Sequence, residues 1–214
     1  VEPTPEDGNI STEAINHTIN VSISKVGNLS QFNFTFNNTV SVLYDNNLYF
    51  YDNFEDVDYP INDVSDLGPR EDSGVVTGAT NVSGVYGQGI GFDGDGDIVV
   101  LANESLGEDQ FKTVCDNGCS FSAWVNDSDT SSSSYVFSKY IASATQRFLY
   151  MSWSSSTNRY IVYVGNGDSG DRVFASYYTN PPTGYNHLTM VYNGSSTTPG
   201  TILIYINGVL GNVS

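Results

Sequence analysis

The sequence predicts an all-β, antiparallel sandwich or barrel, and three observations carry that prediction. Aromatic residues make up 13% of the chain, and Val, Ile and Thr are frequent; these types fit a pleated, half-buried surface. Short apolar runs recur about every 8–15 residues, bounded by Gly, Asn, Asp or Ser. Helix signals are scarce, since only "NESLGEDQF" (103–111) reads as a helical turn, and a short one. This rhythm belongs to antiparallel sheets and not to βαβ units.

In chain order, "VEPTPEDG" (1–8) is Pro-rich and acidic, a linker or flexible lead-in. Residues 9–44 form a small separate group of strands, in which "INVSISKV" (19–26) alternates apolar and polar residues. "QFNFTF" (31–36) and "VSVLY" (40–44) flank "NNT" and read as a hairpin. The larger unit occupies 45–214, opening with "NNLYFYDNF" (46–54) as a strand. "DIVVLA" (97–102), "FSAWVND" (121–127), "YVFSKY" (135–140), "RFLYMSW" (147–153), "RYIVYVG" (159–165), "HLTMVYNG" (187–194) and "TILIYING" (201–208) follow as strands. "SDTSSSS" (128–134) is a serine-rich surface loop.

Charge excludes some partners. Against 7 Lys plus Arg stand 24 Asp plus Glu, a net charge of −17, which repels nucleic acid and anionic membrane surfaces. It suits cations, sugars or a crowded extracellular assembly, and a halophilic host would produce the same balance. Seventeen of the acids are Asp, a turn former, so much of the charge belongs on loops. No apolar run reaches membrane-spanning length. The chain opens without a basic and apolar leader, as a mature or excised N-terminus would.

Eleven Asn-X-Ser/Thr triplets, at Asn9, Asn16, Asn20, Asn28, Asn33, Asn37, Asn81, Asn103, Asn126, Asn193 and Asn212, exceed what such a composition produces by chance. A secreted, heavily N-glycosylated protein explains the excess better than mere Asn and Ser enrichment in loops. The two cysteines lie in "VCDNGCS", where Asp116, Asn117 and Gly118 form a turn-type triplet and Gly118 suits a left-handed position. Cys115 and Cys119 then face each other at disulfide range, in keeping with an oxidising compartment. Zinc needs two further ligands, and only the remote His17 and His187 exist.

From residue 46 onward the motifs resemble, in order, the laminin-G-like, concanavalin A-like jelly-roll modules of microbial surface proteins. "LYFYDNFED" matches their aromatic opening strand, and "SGVVTGATNVSGVYGQGIGFDGDGDIVV" (73–100) their Gly-rich segment. "FSAWV", "VFSK", "YNHLTMVYNG" and "ILIYINGVL" follow, with Tyr185 where the family carries Trp. The resemblance implies a jelly roll, a carbohydrate- or protein-binding role and cell-surface location. Family members usually continue with further strands beyond "NGVLGNVS". The chain therefore reads either as a fragment or as a fold completed by a neighbouring molecule, with "INVSISKV" the best donor strand and a filament the outcome. Sequon crowding and heavy Asn usage suggest an archaeal source.

Catalysis is not expected. Retaining glycosidases of this sandwich class hold two carboxylates about 5 Å apart on one strand face, and no E-x-D-x-x-E pattern occurs here. Glu104 and Glu108 fall in a loop, and neither histidine accompanies a nucleophile elbow. His187 reads as a packing residue and Trp124 as core. Trp153, Tyr160 and Tyr163 are the candidate sugar-stacking rings, although alternation in a β-rich core predicts the same aromatics without a ligand. Tyr177 and Tyr178 belong to the same middle strands.

"DGDGD" places Asp93, Asp95 and Asp97 at EF-hand-like positions, with Glu104 in twelfth place. Ile98 stands where an EF-hand requires Gly, and a strand follows, so that reading fails. The resemblance makes the stretch a tight turn that sends Phe92 and Ile98 into the core. Some relatives bind a structural calcium with turn acids, which leaves the three aspartates as metal candidates. No other cofactor is expected.

Overall fold

The computed structural model describes residues 32–36, 39–44, 47–55, 63–68, 73–101, 114–115, 117–127, 131–139, 148–165, 172–178, 183–194 and 200–211. The expected donor strand 19–26, His17, the helical turn at 103–111 and the sequons at Asn9, Asn16, Asn20, Asn28, Asn37, Asn103 and Asn212 lie outside them. Fifteen strands and no helix occur among the described residues. The chain divides into two compact units, Val1–Leu48 and Tyr49–Ser214.

In the first unit, β1 (Phe32–Phe36) and β2 (Thr39–Tyr44) pair antiparallel, the hairpin anticipated from the alternating sequence, with a register shift between Phe32 and Asn33.

The second unit is an antiparallel β-sandwich built around two four-stranded sheets. One sheet runs β12 (Arg172–Tyr178), β11 (Arg159–Gly165), β10 (Phe148–Ser154), β9 (Ser134–Lys139). The other runs β15 (Val209–Leu210), β14 (Ile202–Ile206), β13 (Asn186–Tyr192), β8 (Cys119–Val125). Both are antiparallel throughout. Between them lies the main core, to which β10 and β11 give Met151, Trp153, Tyr160 and Val162 and the opposite sheet gives Leu188, Met190, Ile202 and Ile204. Alternation fixes which residues enter it, because successive side chains on a strand point to opposite faces. β13 shows this cleanly: Leu188, Met190 and Tyr192 are buried while His187, Thr189 and Val191 are only half so. The β14–β15 connection is Asn207-Gly208, both at positive φ (51° and 78°), as a two-residue hairpin turn of this hand requires.

The Gly-rich segment makes smaller sheets. β3 (Asp63–Ser65), β4 (Ser73–Thr77) and β7 (Ile98–Val100) form one, over a second core of Val64, Val76 and Ala79. β5 (Thr80–Ser83) and β6 (Gln88–Gly91) form the other. Residues 47–53 do not form the expected strand; they are tied in singly, Leu67 N–H donating to Tyr51 O at 2.7 Å and Tyr51 N–H to the buried Asp66 carboxylate at 2.8 Å. A carboxylate here does the work of a ladder partner. Cys115 and Cys119 form the expected disulfide, with Gly118 at φ 91°.

Candidate functional site

Outward-facing positions of the two large sheets carry the chemistry. On β8 the Ser120, Ser122, Trp124 set is exposed, and Trp124 keeps 44% of its surface open. It is therefore not the core residue expected; Phe121 and Val125 take that role. His187, its cross-strand partner, lies 5.0 Å away between ring centroids at 50°. Its ring nitrogen Nδ1 is 3.5 Å from the Thr189 hydroxyl. Tyr86, 77% exposed, stands edge-on to the indole at 6.2 Å and 78°. Together they make a corner, with the indole as one wall and the phenol ring nearly perpendicular.

The corner is held from behind. Tyr86 belongs to the β5–β6 turn, where Gly84 N–H donates to Gly87 O at 2.9 Å and Gln88 N–H to a Glu55 carboxylate oxygen at 2.7 Å. Gly87 has φ 73°, and a Cβ there would meet that carboxylate, so the turn needs glycine for both reasons. Tyr185 donates its hydroxyl hydrogen to Ser83 O, which pins the hairpin to the start of β13.

The outer face of β9–β12 carries a second array. Tyr135, Tyr150, Tyr163 and Phe174 run across all four strands, with centroid separations of 5.6, 4.9 and 5.5 Å. Cross-strand register makes this ladder, since Tyr150 pairs with Tyr163 and Tyr163 with Phe174. The inner rings shelter one another, while Tyr135 and Phe174 at the ends remain 69% and 48% exposed.

Two of the three candidate sugar rings need correction. Trp153 and Tyr160 are each 1% exposed and belong to the sandwich core, so neither can stack on a ligand. Their parity on β10 and β11 puts them on the inner face. Tyr163 lies on the outer face but between Tyr150 and Phe174. Tyr177 packs against the core as well. Four rings that are open on these two faces, Tyr86, Trp124, Tyr135 and Phe174, are not among the sugar-stacking candidates of the sequence. Alternation could have found two of them, because Trp124 shares parity with Ser120 and Ser122, and Tyr135 opposes Val136.

The aspartate stretch is the tight turn expected, while the residues flanking it are placed differently. Asp95 N–H donates to Asp93 Oδ1 at 2.8 Å and Asp93 N–H to Asp97 Oδ2 at 2.7 Å, so two of the carboxylates cap the turn's own backbone. No group of three His, Cys, Asp or Glu side chains converges as a cation cage among the described residues. Phe92 and Ile98 are 57% and 50% exposed and do not enter the core. The core beneath them is already filled by Val64, Val76 and Ala79 with Val99 inward from β7.

Asn81, Asn126 and Asn193, the sequons whose burial is described, are all exposed. Asn126 follows β8 and Asn193 follows β13; these strands are antiparallel, so the two lie at opposite ends of one sheet. Among the described residues no helix is long and apolar enough to cross a membrane.

No curated protein and no solved structure matches the chain. The family model described as concanavalin A-like lectin/glucanases superfamily, of laminin-G type, matches residues 92–214, which span β7 to β15 and the Trp124 wall of the corner. By its family match and its antiparallel sandwich, the chain belongs to the concanavalin A-like lectin/glucanases superfamily.

Proposed function

We propose that the chain is a non-catalytic, N-glycosylated adhesive module of an extracellular surface assembly, and that it takes a carbohydrate in the Trp124 corner. The observation that carries this reading is the exposed Trp124 ring with Tyr86 set at 78° to it and His187 beside it. An indole face offers apolar area for a sugar face, and the histidine and Thr189 hydroxyl offer hydrogen bonds at its rim. The family match supports a carbohydrate- or protein-binding module, and the exposed sequons support a secreted chain. Glycan-array binding followed by fluorescence titration tests the reading: Trp124→Ala should lower affinity at least tenfold with the fold intact. Failure of the wild-type protein to bind any glycan would overturn it.

A structural role in a filament or surface layer is a second reading. It is favoured by the β9–β12 ladder, whose end rings stay open to solvent although they are large and apolar.

A further inference from the structure

We propose that the outer face of the β9–β12 sheet docks a second copy of this chain, head to tail, by receiving the exposed turn Phe92–Ile98 of its neighbour. The inference rests on the assembly reading above and names the two surfaces that meet.

Charge points to the partner. The chain carries 24 acids, yet β9, β10, β11 and β12 contain none, while they hold Lys139, Arg159 and Arg172 of the 7 cations. Arg159 shares parity with Ile161 and Tyr163 on the outer face. The strands of the other large sheet are also free of acids but hold no Lys or Arg, so in a molecule of net charge −17 the ring-lined β9–β12 face is the sheet face better suited to an acidic segment of another copy. Sequons respect the same face: none lies between Asn126 and Asn193, so no N-glycan would grow from these strands.

The turn supplies the complement. Phe92 and Ile98 are 57% and 50% exposed on either side of Asp93 and Asp95, themselves exposed. The turn thus offers two apolar side chains and two carboxylates to a face that offers a row of aromatic rings and Arg159 and whose strands contain no acid. Both surfaces belong to one chain and differ from each other, so a single contact is heterologous and leaves one face and one turn free for further copies. A seven-residue turn covers less area than a standard stable interface, so a single contact is weak and is strengthened by repetition.

Two variants and their mixture test the contact, using the full 214-residue chain in sedimentation velocity over a wide concentration range. Tyr135→Asp/Phe174→Asp spoils the face, with Tyr135→Ser/Phe174→Ser as the substitute should the charged pair not fold. Phe92→Ser/Asp95→Lys spoils the turn and keeps the Asp93 and Asp97 carboxylates that close it. Wild-type protein should form concentration-dependent oligomers that weaken with added salt. Each variant alone should dissociate at least tenfold more readily, and an equimolar mixture should form dimers and nothing larger, since one intact face meets one intact turn. Wild-type protein that stays monomeric throughout overturns the assembly reading itself. Oligomers that survive both variants, or a mixture without dimers, overturn this contact and leave assembly standing.

Discussion

Trp153 and Tyr160 meet edge to face across β10 and β11, ring centroids 5.1 Å apart at 61°, each with 1% of its surface exposed. Directly paired in the register, they are the largest fully buried side chains among the described residues. Trp153→Ala should therefore cost about 3–5 kcal/mol of folding stability, through lost transfer free energy and the cavity left behind. Urea denaturation measures it; a loss below about 1 kcal/mol would place the ring outside the core.

The two tryptophans of the chain should separate in solution. Acrylamide should quench Trp124, which is 44% exposed, and spare Trp153. Trp124→Ala should cost only about 1 kcal/mol, the value of its ring contacts with Tyr86 and His187, and should remove the quenchable fluorescence.

Alkaline pH should weaken the fold through Tyr160. Burial first, and the Asp127 carboxylate second, push its phenol from 10.0 up to about 12. Below pH 10 the hydroxyl is neutral folded or unfolded, so its contribution is fully present. Between pH 10 and about 12 only the unfolded chain ionises, and stability falls by as much as about 1.4 kcal/mol per pH unit. Urea midpoints measured across that window should flatten in Tyr160→Phe relative to the wild type.

Calcium should leave the melting temperature unchanged. Two of the three turn carboxylates are engaged by backbone N–H groups of the turn, and no three-acid cage is present among the described residues. Differential scanning fluorimetry with excess calcium against chelator is the check, and a rise that Asp95→Asn abolishes would locate an ion there.

Reducing the Cys115–Cys119 disulfide should cost about 2 kcal/mol at most, because the loop it closes is short and chain entropy grows with loop length. Cys115 sits at the edge of the main core, 6% exposed, and the protein should stay folded with dithiothreitol present. Circular dichroism melts with and without the reductant measure the difference.

The strand rhythm was legible because burial on one face of a sheet leaves a period of two in the sequence. β8, β9, β10, β11, β13 and β14 all lie where apolar runs placed them. The Gly-rich stretch was less so: β4, β5 and β6 have few apolar side chains, and their positions depend on glycines and backbone pairing instead. Parity rules out the expected sugar face. Tyr160 and Tyr163 are three apart on one strand, which sends one inward and the other outward, so they could not share a sugar face. Tyr86 carries no such signal, since it sits in a turn whose position is set by Glu55, 33 residues from Gln88 in sequence.

Asn126 and Asn193 end the same two strands in opposite directions. Sugar chains on both would act as spacers at the two tips of the sandwich. They would hold neighbouring molecules apart along the strand axis and shield the tip loops from proteases. No sequon lies on β9 to β12, so the outer face of that sheet would stay bare for a neighbouring molecule.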